Sequence, residues 1–356
     1  MTRNDIIDQR LRKLRERLEP TGAEGLLVTS PANVRYLSGF GTPEDAVVLV
    51  KPSEAVLLTD ARYTAQAEEE SALPYDIVAG LHGAAADRLQ GAKLAVEGEA
   101  MNLTEFRTLS DKLGYEPLVT EGLFAPLRLV KSEDEIAKLR EAARITDLAY
   151  EAALAMMRPG VTEVEVALEL ERTMRLRGAE GSAFDIIVAS GKRGAMPHGV
   201  ASQKKLEAGD LVTLDFGAVV DGYHADMTRT VAIGQVGAEE RRMFDAVLEA
   251  QKAALAAVGP GKSGRELDKV ARDILARHGL GEQFSHSLGH GTGLVIHEGP
   301  RLSSRSEDVL EPGMVVTVEP GVYFPGFTGL RIEDLAVVTE SGHEVLSHSP
   351  KEFRAL

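Results

Sequence analysis

The sequence predicts two domains, a small α/β module followed by a larger α+β domain, and three observations carry the prediction. The chain has 356 residues, more than the ~100–200 residues of an ordinary single domain. Up to about residue 127, short apolar runs bounded by Pro and Gly alternate with helical patterns. Beyond that point, long helices with capping signals precede groups of strands. The boundary is therefore set at 127/128, giving domains 1–127 and 128–356.

In the first domain, residues 8–18 hold Leu11, Leu14 and Leu18 at helical spacing among basic residues, an amphipathic helix. Residues 25–30 (GLLVTS), 46–50 (AVVLV) and 55–58 (AVLL) read as short buried strands, and 93–96 as another. Residues 60–71 and 103–113 read as helices. In the second domain, Ser132 with Glu135 three residues on forms a capping box, and its helix runs to the stop signal Arg158-Pro159-Gly160. A second helix runs from Thr162 to about Arg177. Residues 210–233 read as a β-hairpin, 238–258 and 264–278 as helices, and the chain from Val295 onward as strands with Gly/Pro turns. Each half of this domain thus reads as helices followed by strands, a hint of internal duplication.

Composition narrows the function. Lys and Arg number 40 against 55 acidic residues, a formal net charge of −15. Such a surface repels phosphate backbones and anionic membranes, so neither nucleic acid nor membrane is an expected partner. The absence of Cys removes thiolate nucleophiles and Cys-based zinc sites. No apolar run approaches the ~18 residues of a membrane span, and MTRNDIIDQRLRKLRERL lacks the apolar core of a signal peptide. A cytoplasmic location is expected.

The informative anomaly is acid inside strands that should be apolar. Asp215 lies in LVTLDF and Asp226 on the return strand. With Asp221-Gly222 as a two-residue loop, Val220 faces Tyr223 and Gly217 faces Asp226. Asp215 shares a face with Gly217, so Asp215 and Asp226 become diagonal neighbours. Glu319 ends the apolar run 314–318, and Glu333 interrupts 330–338. Ion pairing or a place at an exposed strand end explains any one of these acids. The nearest arginines, Arg229 and Arg331, are too few to neutralise all four, and a buried carboxylate needs a partner or a cation.

Six of nine histidines fall between His198 and His297. His286 and His290 have the i,i+4 spacing of a helical zinc motif, but Gly289, Gly291 and Gly293 argue against a helix and no Glu follows His286. His290 instead suits a ligand on a tight strand or loop. Four carboxylates with one imidazole favour Mn²⁺ or Co²⁺, with Zn²⁺ possible. Two such ions balance four acids, and at about 3.5–4 Å apart they could hold a bridging hydroxide as nucleophile.

These residues resemble the pita-bread metallopeptidases of the prolidase and aminopeptidase P group. The run Asp215, Asp226, His290, Glu319, Glu333, with intervals of 11, 64, 29 and 14, suits its short members, as do TLDFGAVVDGYHADMTRT, SLGHGTGLVIHEGPR, TVEPGVY and GLRIEDL. VKSEDEI resembles the entry into the family's catalytic domain, and SPANVRYLSGF its N-terminal module. The resemblance implies a pita-bread catalytic domain behind a creatinase-type α/β domain, binding two divalent metal ions, Mn²⁺ foremost. Asp215 would chelate one metal, Asp226 and Glu333 would bridge, and His290 and Glu319 would bind the second. Glu319 would also relay the proton, and His198 and His297 would hydrogen-bond substrate and tetrahedral intermediate. Tyr323 and Arg331 match positions near the site, with a structural pairing of Arg331 to the acids the competing reading.

The implied substrate is a short peptide with proline at the second position, whose tertiary amide lacks an N–H and defeats proteases that grip the backbone. The first domain would close the cleft or reach a neighbour's site in a homodimer. The main reading is an Xaa-Pro aminopeptidase acting through a metal-bridging hydroxide. The alternative is an Xaa-Pro dipeptidase, in which Arg301 could anchor the substrate carboxylate; a solvated surface arginine is the competing reading. Methionine aminopeptidases typically lack such an N-terminal module. Metal-free relatives, creatine-hydrolysing or binding proteins, have lost ligands that this chain retains.

Overall fold

The computed structural model describes residues 3–89 and 91–356. The chain divides into two compact units after Arg128. In the first, the strands Gly25–Val28, Ala46–Val50, Ala55–Thr59 and Leu94–Glu97 lie at the positions where short apolar runs occur. They are central in a six-stranded mixed sheet whose outer strands are Tyr75–Ile77 and Leu118–Thr120. Gly25–Val28 pairs antiparallel with Ala46–Val50 and parallel with Leu94–Glu97. Buried on both faces, it reads as an unbroken apolar run. Helices Leu81–Leu89 and Leu103–Leu113 supply Ala85, Leu89 and Leu109 to the core under this sheet.

The first helix spans Arg3–Leu18 and buries Leu11, Leu14 and Leu18, as the spacing predicts. The helix expected over 60–71 is instead a 3₁₀ turn, Ala61–Tyr63, capped by Asp60, followed by the α-helix Thr64–Glu70. The helices Pro31–Ser38 and Leu81–Leu89 and both outer strands have no counterpart in the sequence reading. The outer strands are three residues each and half-exposed, so they carry little apolar signal.

In the second unit one arrangement occurs twice. Helices Glu133–Met156 and Glu163–Leu176, each opened by a capping box (Ser132/Glu135 and Thr162/Glu165), cover strands Ile187–Ser190, Leu211–Phe216 and Met227–Ala232. Helices Ala238–Ala257 and Gly264–Arg277 then cover Gly289–Gly291, Val315–Val318 and Asp334–Thr339. The two strand groups meet edge on: Glu333 N donates to Thr228 O at 3.0 Å, and Thr230 Oγ1 donates to Arg331 O at 2.8 Å. No helix among the described residues is long and apolar enough to cross a membrane.

The expected 210–233 hairpin is present in the expected register, Val220 opposite Tyr223 and Asp215 opposite Thr228. It is not one continuous ladder. Regular pairing breaks at Gly217 and at Ala225-Asp226, so the distal part joins Gly181–Ser182 in a different sheet. Gly217 is required there, because a Cβ would overlap the carbonyl of Ala225.

Candidate active site

All four acids emerge where sheet pairing stops. Asp215 is the penultimate residue of its strand, and Asp226 immediately precedes Met227–Ala232. In the second half, Val318 is paired with Asp334, so Glu319 and Glu333 flank the end of that ladder in the same way. A strand end frees the side chain from the pleat while flanking apolar residues keep it under cover. Asp215, Asp226 and Glu333 are 7%, 5% and 1% exposed. Each offers one oxygen to a common point, these atoms lying within 4.8 Å of one another.

His290 completes the set from Gly289–Gly291, where a Cβ on either glycine would strike the backbone of Thr317 or Gly299. Its Nε2 lies 3.2 Å from Glu319 Oε1 and 3.6 Å from Asp226 Oδ2. Nδ1 sits 3.1 Å from its neighbour's carbonyl, Gly291 O. Since a carbonyl only accepts, Nδ1 carries a proton, and Nε2 is the ring atom turned to the acids, where, against the effect of burial, the charge of Glu319 raises the His290 pKa. Thr317 Oγ1 donates to Glu319 Oε1 at 3.0 Å and accepts from His290 N at 3.1 Å, setting both groups from one hydroxyl.

Arg331 is the structural counterweight. Its Nη2 donates to Asp215 Oδ2 at 2.5 Å, Nη1 to the Tyr323 hydroxyl at 2.6 Å, and Nε to Thr228 Oγ1 at 3.1 Å. Thr228 in turn donates to Glu333 Oε2 at 2.6 Å. Tyr323 is not part of the cavity wall; it stands behind Arg331, with its hydroxyl 3.0 Å from His286 Nε2. Arg229 does not reach the acids' carboxylates: it pairs with Asp334 at 2.7 Å and donates to the backbone carbonyl of Glu333.

Charge explains what is left over. Burial raises the Asp226 and Glu333 pKa values well above the usual carboxylate range, and repulsion from neighbouring acids adds to it. Burial also raises Asp215, with Arg331 opposing. Burial would raise Glu319 too, but its hydrogen bond with His290 and nearby positive groups hold it down at about 2. Two oxygens, Asp215 Oδ1 and Glu333 Oε1, are buried with no hydrogen-bond partner among the described residues. An orphaned carboxylate oxygen is costly in a protein interior. Repelling acids, orphaned oxygens and an imidazole nitrogen turned to the same acids fit divalent cations, which would take the place of the proton on that nitrogen.

The acids line a cavity of about 680 Å³ whose wall also includes His198, His286, His297 and Arg301. His198 and His297 are exposed at its rim, and the His290 and His297 rings are 4.4 Å apart. Burial and the charge of His290 lower the His297 pKa. Arg301 is exposed on the wall; its backbone N–H donates to Asp308 at 2.8 Å. Phe184, Ile187, Val200 and Ile296 supply apolar surface. Sequence reasoning did not single out Thr228, Thr317 or His286 for the site. His286 was visible only through its spacing to His290, and the two threonines carry no motif that marks them.

Comparison with known proteins accords with this geometry. Residues 137–340 match metallopeptidase family M24, and residues 10–130 match the creatinase/prolidase N-terminal domain. The Xaa-Pro dipeptidase of Pyrococcus furiosus is 38% identical, over 97% of this chain and 99% of that protein. A solved Xaa-Pro dipeptidase from Bacillus anthracis superposes with a TM-score of 0.94 at 44% identity, over 98% of this chain and 100% of that one. A solved X-Pro aminopeptidase from Thermotoga maritima gives 0.88 at 39% identity, over 96% and 100%. The fold is a pita-bread catalytic domain behind a creatinase-type domain, and the family's metal dependence meets a cluster able to hold ions. The chain belongs to metallopeptidase family M24.

Proposed function

We propose that this metallopeptidase is an Xaa-Pro dipeptidase, cleaving the bond between a first residue and a C-terminal proline. The observation that carries the chemistry is the convergence of Asp215, Asp226 and Glu333 within 4.8 Å, beside His290 and Glu319. Relatives named Xaa-Pro dipeptidase favour this reading over the aminopeptidase expected from the sequence.

In this reading Asp215, Asp226, His290, Glu319 and Glu333 hold two divalent ions, Mn²⁺ foremost. When bound, such ions supply Lewis acidity and an acidified water near neutral pH. Glu319, ionised at neutral pH, takes the proton of the attacking water at Oε2. Water oxygen bonds to the scissile carbonyl carbon, the C–N bond to proline breaks, and Glu319 returns the proton to the departing ring nitrogen. His198 and His297, at the rim, donate hydrogen bonds to the carbonyl oxygen as it gains charge. Arg331 and Tyr323 orient Asp215 rather than touch substrate. Arg301 pairs with the terminal carboxylate of the dipeptide, and the apolar wall receives the proline ring.

Turnover of Ala-Pro compared with Ala-Pro-Ala tests the choice. Preference for the dipeptide is expected. Equal or greater turnover of the tripeptide restores the aminopeptidase reading, which the Thermotoga relative supports.

A further inference from the structure

Glu163 is the first residue of the helix Glu163–Leu176 and is fully buried, 0% exposed, away from the acids of the site. A carboxylate in that position is costly unless every lone pair is used. Here they are used on one segment. Oε1 accepts from Ser190 N and Oγ at 2.8 and 2.7 Å. Oε2 accepts from Ser202 N and Oγ at 3.1 and 2.6 Å, and from Arg193 Nε at 2.9 Å. Ser190 and Ser202 are the two ends of a loop, and Arg193 lies within it and donates to Val200 O at 2.6 Å. Between these anchors, Pro197, His198 and Val200 form part of the cavity wall.

Few other bonds tie the tip of the loop to the catalytic acids. The Pro197 carbonyl accepts from Arg331 Nη1 at 3.3 Å, and Gly194 packs against the backbone of Gly329. The His198 side chain makes no hydrogen bond among the described residues and is exposed, so its place depends on where the loop ends are held. Charge at the first turn also suits the helix N-terminus, which makes Glu163 a rigid post.

We infer that Glu163 is a positioning residue for His198: it closes the Ser190–Ser202 loop and so presents the imidazole to the substrate. The inference rests on the substrate role given to His198 above. Positioning errors of about 1 Å cost rate steeply, about a hundredfold in severe cases.

The test compares wild type, Glu163→Gln, His198→Ala and the double variant, all metal-loaded, for kcat and KM on Ala-Pro. Metal content, thermal melting and hydrogen exchange over 190–202 are measured on the same samples. Glu163→Gln should lower kcat about tenfold with metal content unchanged and exchange in the loop raised. In the His198→Ala background it should cost little further. The same tenfold loss in both backgrounds overturns the inference, as does unchanged kcat in Glu163→Gln. If His198→Ala is itself silent, the substrate role of His198 fails and takes the inference with it; a costly His198→Ala beside a silent Glu163→Gln sinks the inference alone. Should Glu163→Gln fail to fold, Ser202→Ala removes one of the five bonds from the other side, that of the hydroxyl, and is expected to show the same pattern in smaller measure; additivity with His198→Ala there overturns the inference.

Discussion

Arg331 grips Asp215 by one oxygen only: Nη2 donates to Oδ2 at 2.5 Å, while Oδ1 is buried without a donor among the described residues. Thr228 treats Glu333 alike, holding Oε2 and leaving Oε1. Each acid is oriented through one atom and offers the other. Thr228→Val should therefore keep the fold while weakening metal affinity about 10–100-fold. Arg331→Met should do that and also destabilise the fold by about 3–5 kcal/mol, since Asp215 would be left buried beside other acids. Chelator competition and urea unfolding separate the two effects.

Removal of metal should abolish turnover of Ala-Pro, with recovery on adding Mn²⁺. The loaded protein should also melt at a higher temperature, because ions that bind only the folded chain stabilise it. Activity that persists after exhaustive chelation, with metal content verified, refutes the assignment of the acids.

Glu333→Gln separates a metal site from a set of ordinary ion pairs. The side chain is pushed toward its neutral form by burial and by the neighbouring acids. A neutral isostere relieves that repulsion, so in chelator the variant should melt no lower than wild type while binding fewer ions and losing activity. A marked loss of stability in chelator indicates that the Glu333 charge is satisfied by protein groups alone.

Arg301→Gln should raise KM for Ala-Pro about tenfold or more with kcat nearly unchanged, since it would remove a charge-assisted bond to the substrate carboxylate. Ala-Pro amide, lacking that carboxylate, should show no further penalty. An equal loss on both substrates excludes a carboxylate anchor.

Gly217→Ala tests the break between the halves of the first hairpin. The added methyl would meet the Ala225 carbonyl and push the strands apart, at about 1–3 kcal/mol. Asp215 and Asp226 lie on either side of that break, so metal stoichiometry should fall along with stability. Full metal occupancy in a folded Gly217→Ala protein contradicts this role for the glycine.

Much of this molecule was legible in one dimension. The capping boxes at Ser132 and Thr162 mark helix starts, because the donor and acceptor that define a cap lie three residues apart. The Asp221-Gly222 turn sets the hairpin register, and with it the diagonal approach of Asp215 and Asp226. The outer strands Tyr75–Ile77 and Leu118–Thr120 and the helix Leu81–Leu89 escaped, being short or weakly patterned and held by neighbours distant in sequence.

Local spacing and the chemistry of residue types determined which acids and which histidine belong together, and the turn that brings the first two side by side. Only tertiary structure decided which oxygen of each acid is held and which is left over, that Arg229 clamps a backbone carbonyl, and that Glu163 closes the loop bearing His198. Those outcomes depend on contacts between residues tens to more than a hundred positions apart, which no local pattern of side chains encodes. The first two arise where the two strand groups meet and fixed donors run out before the acceptors do.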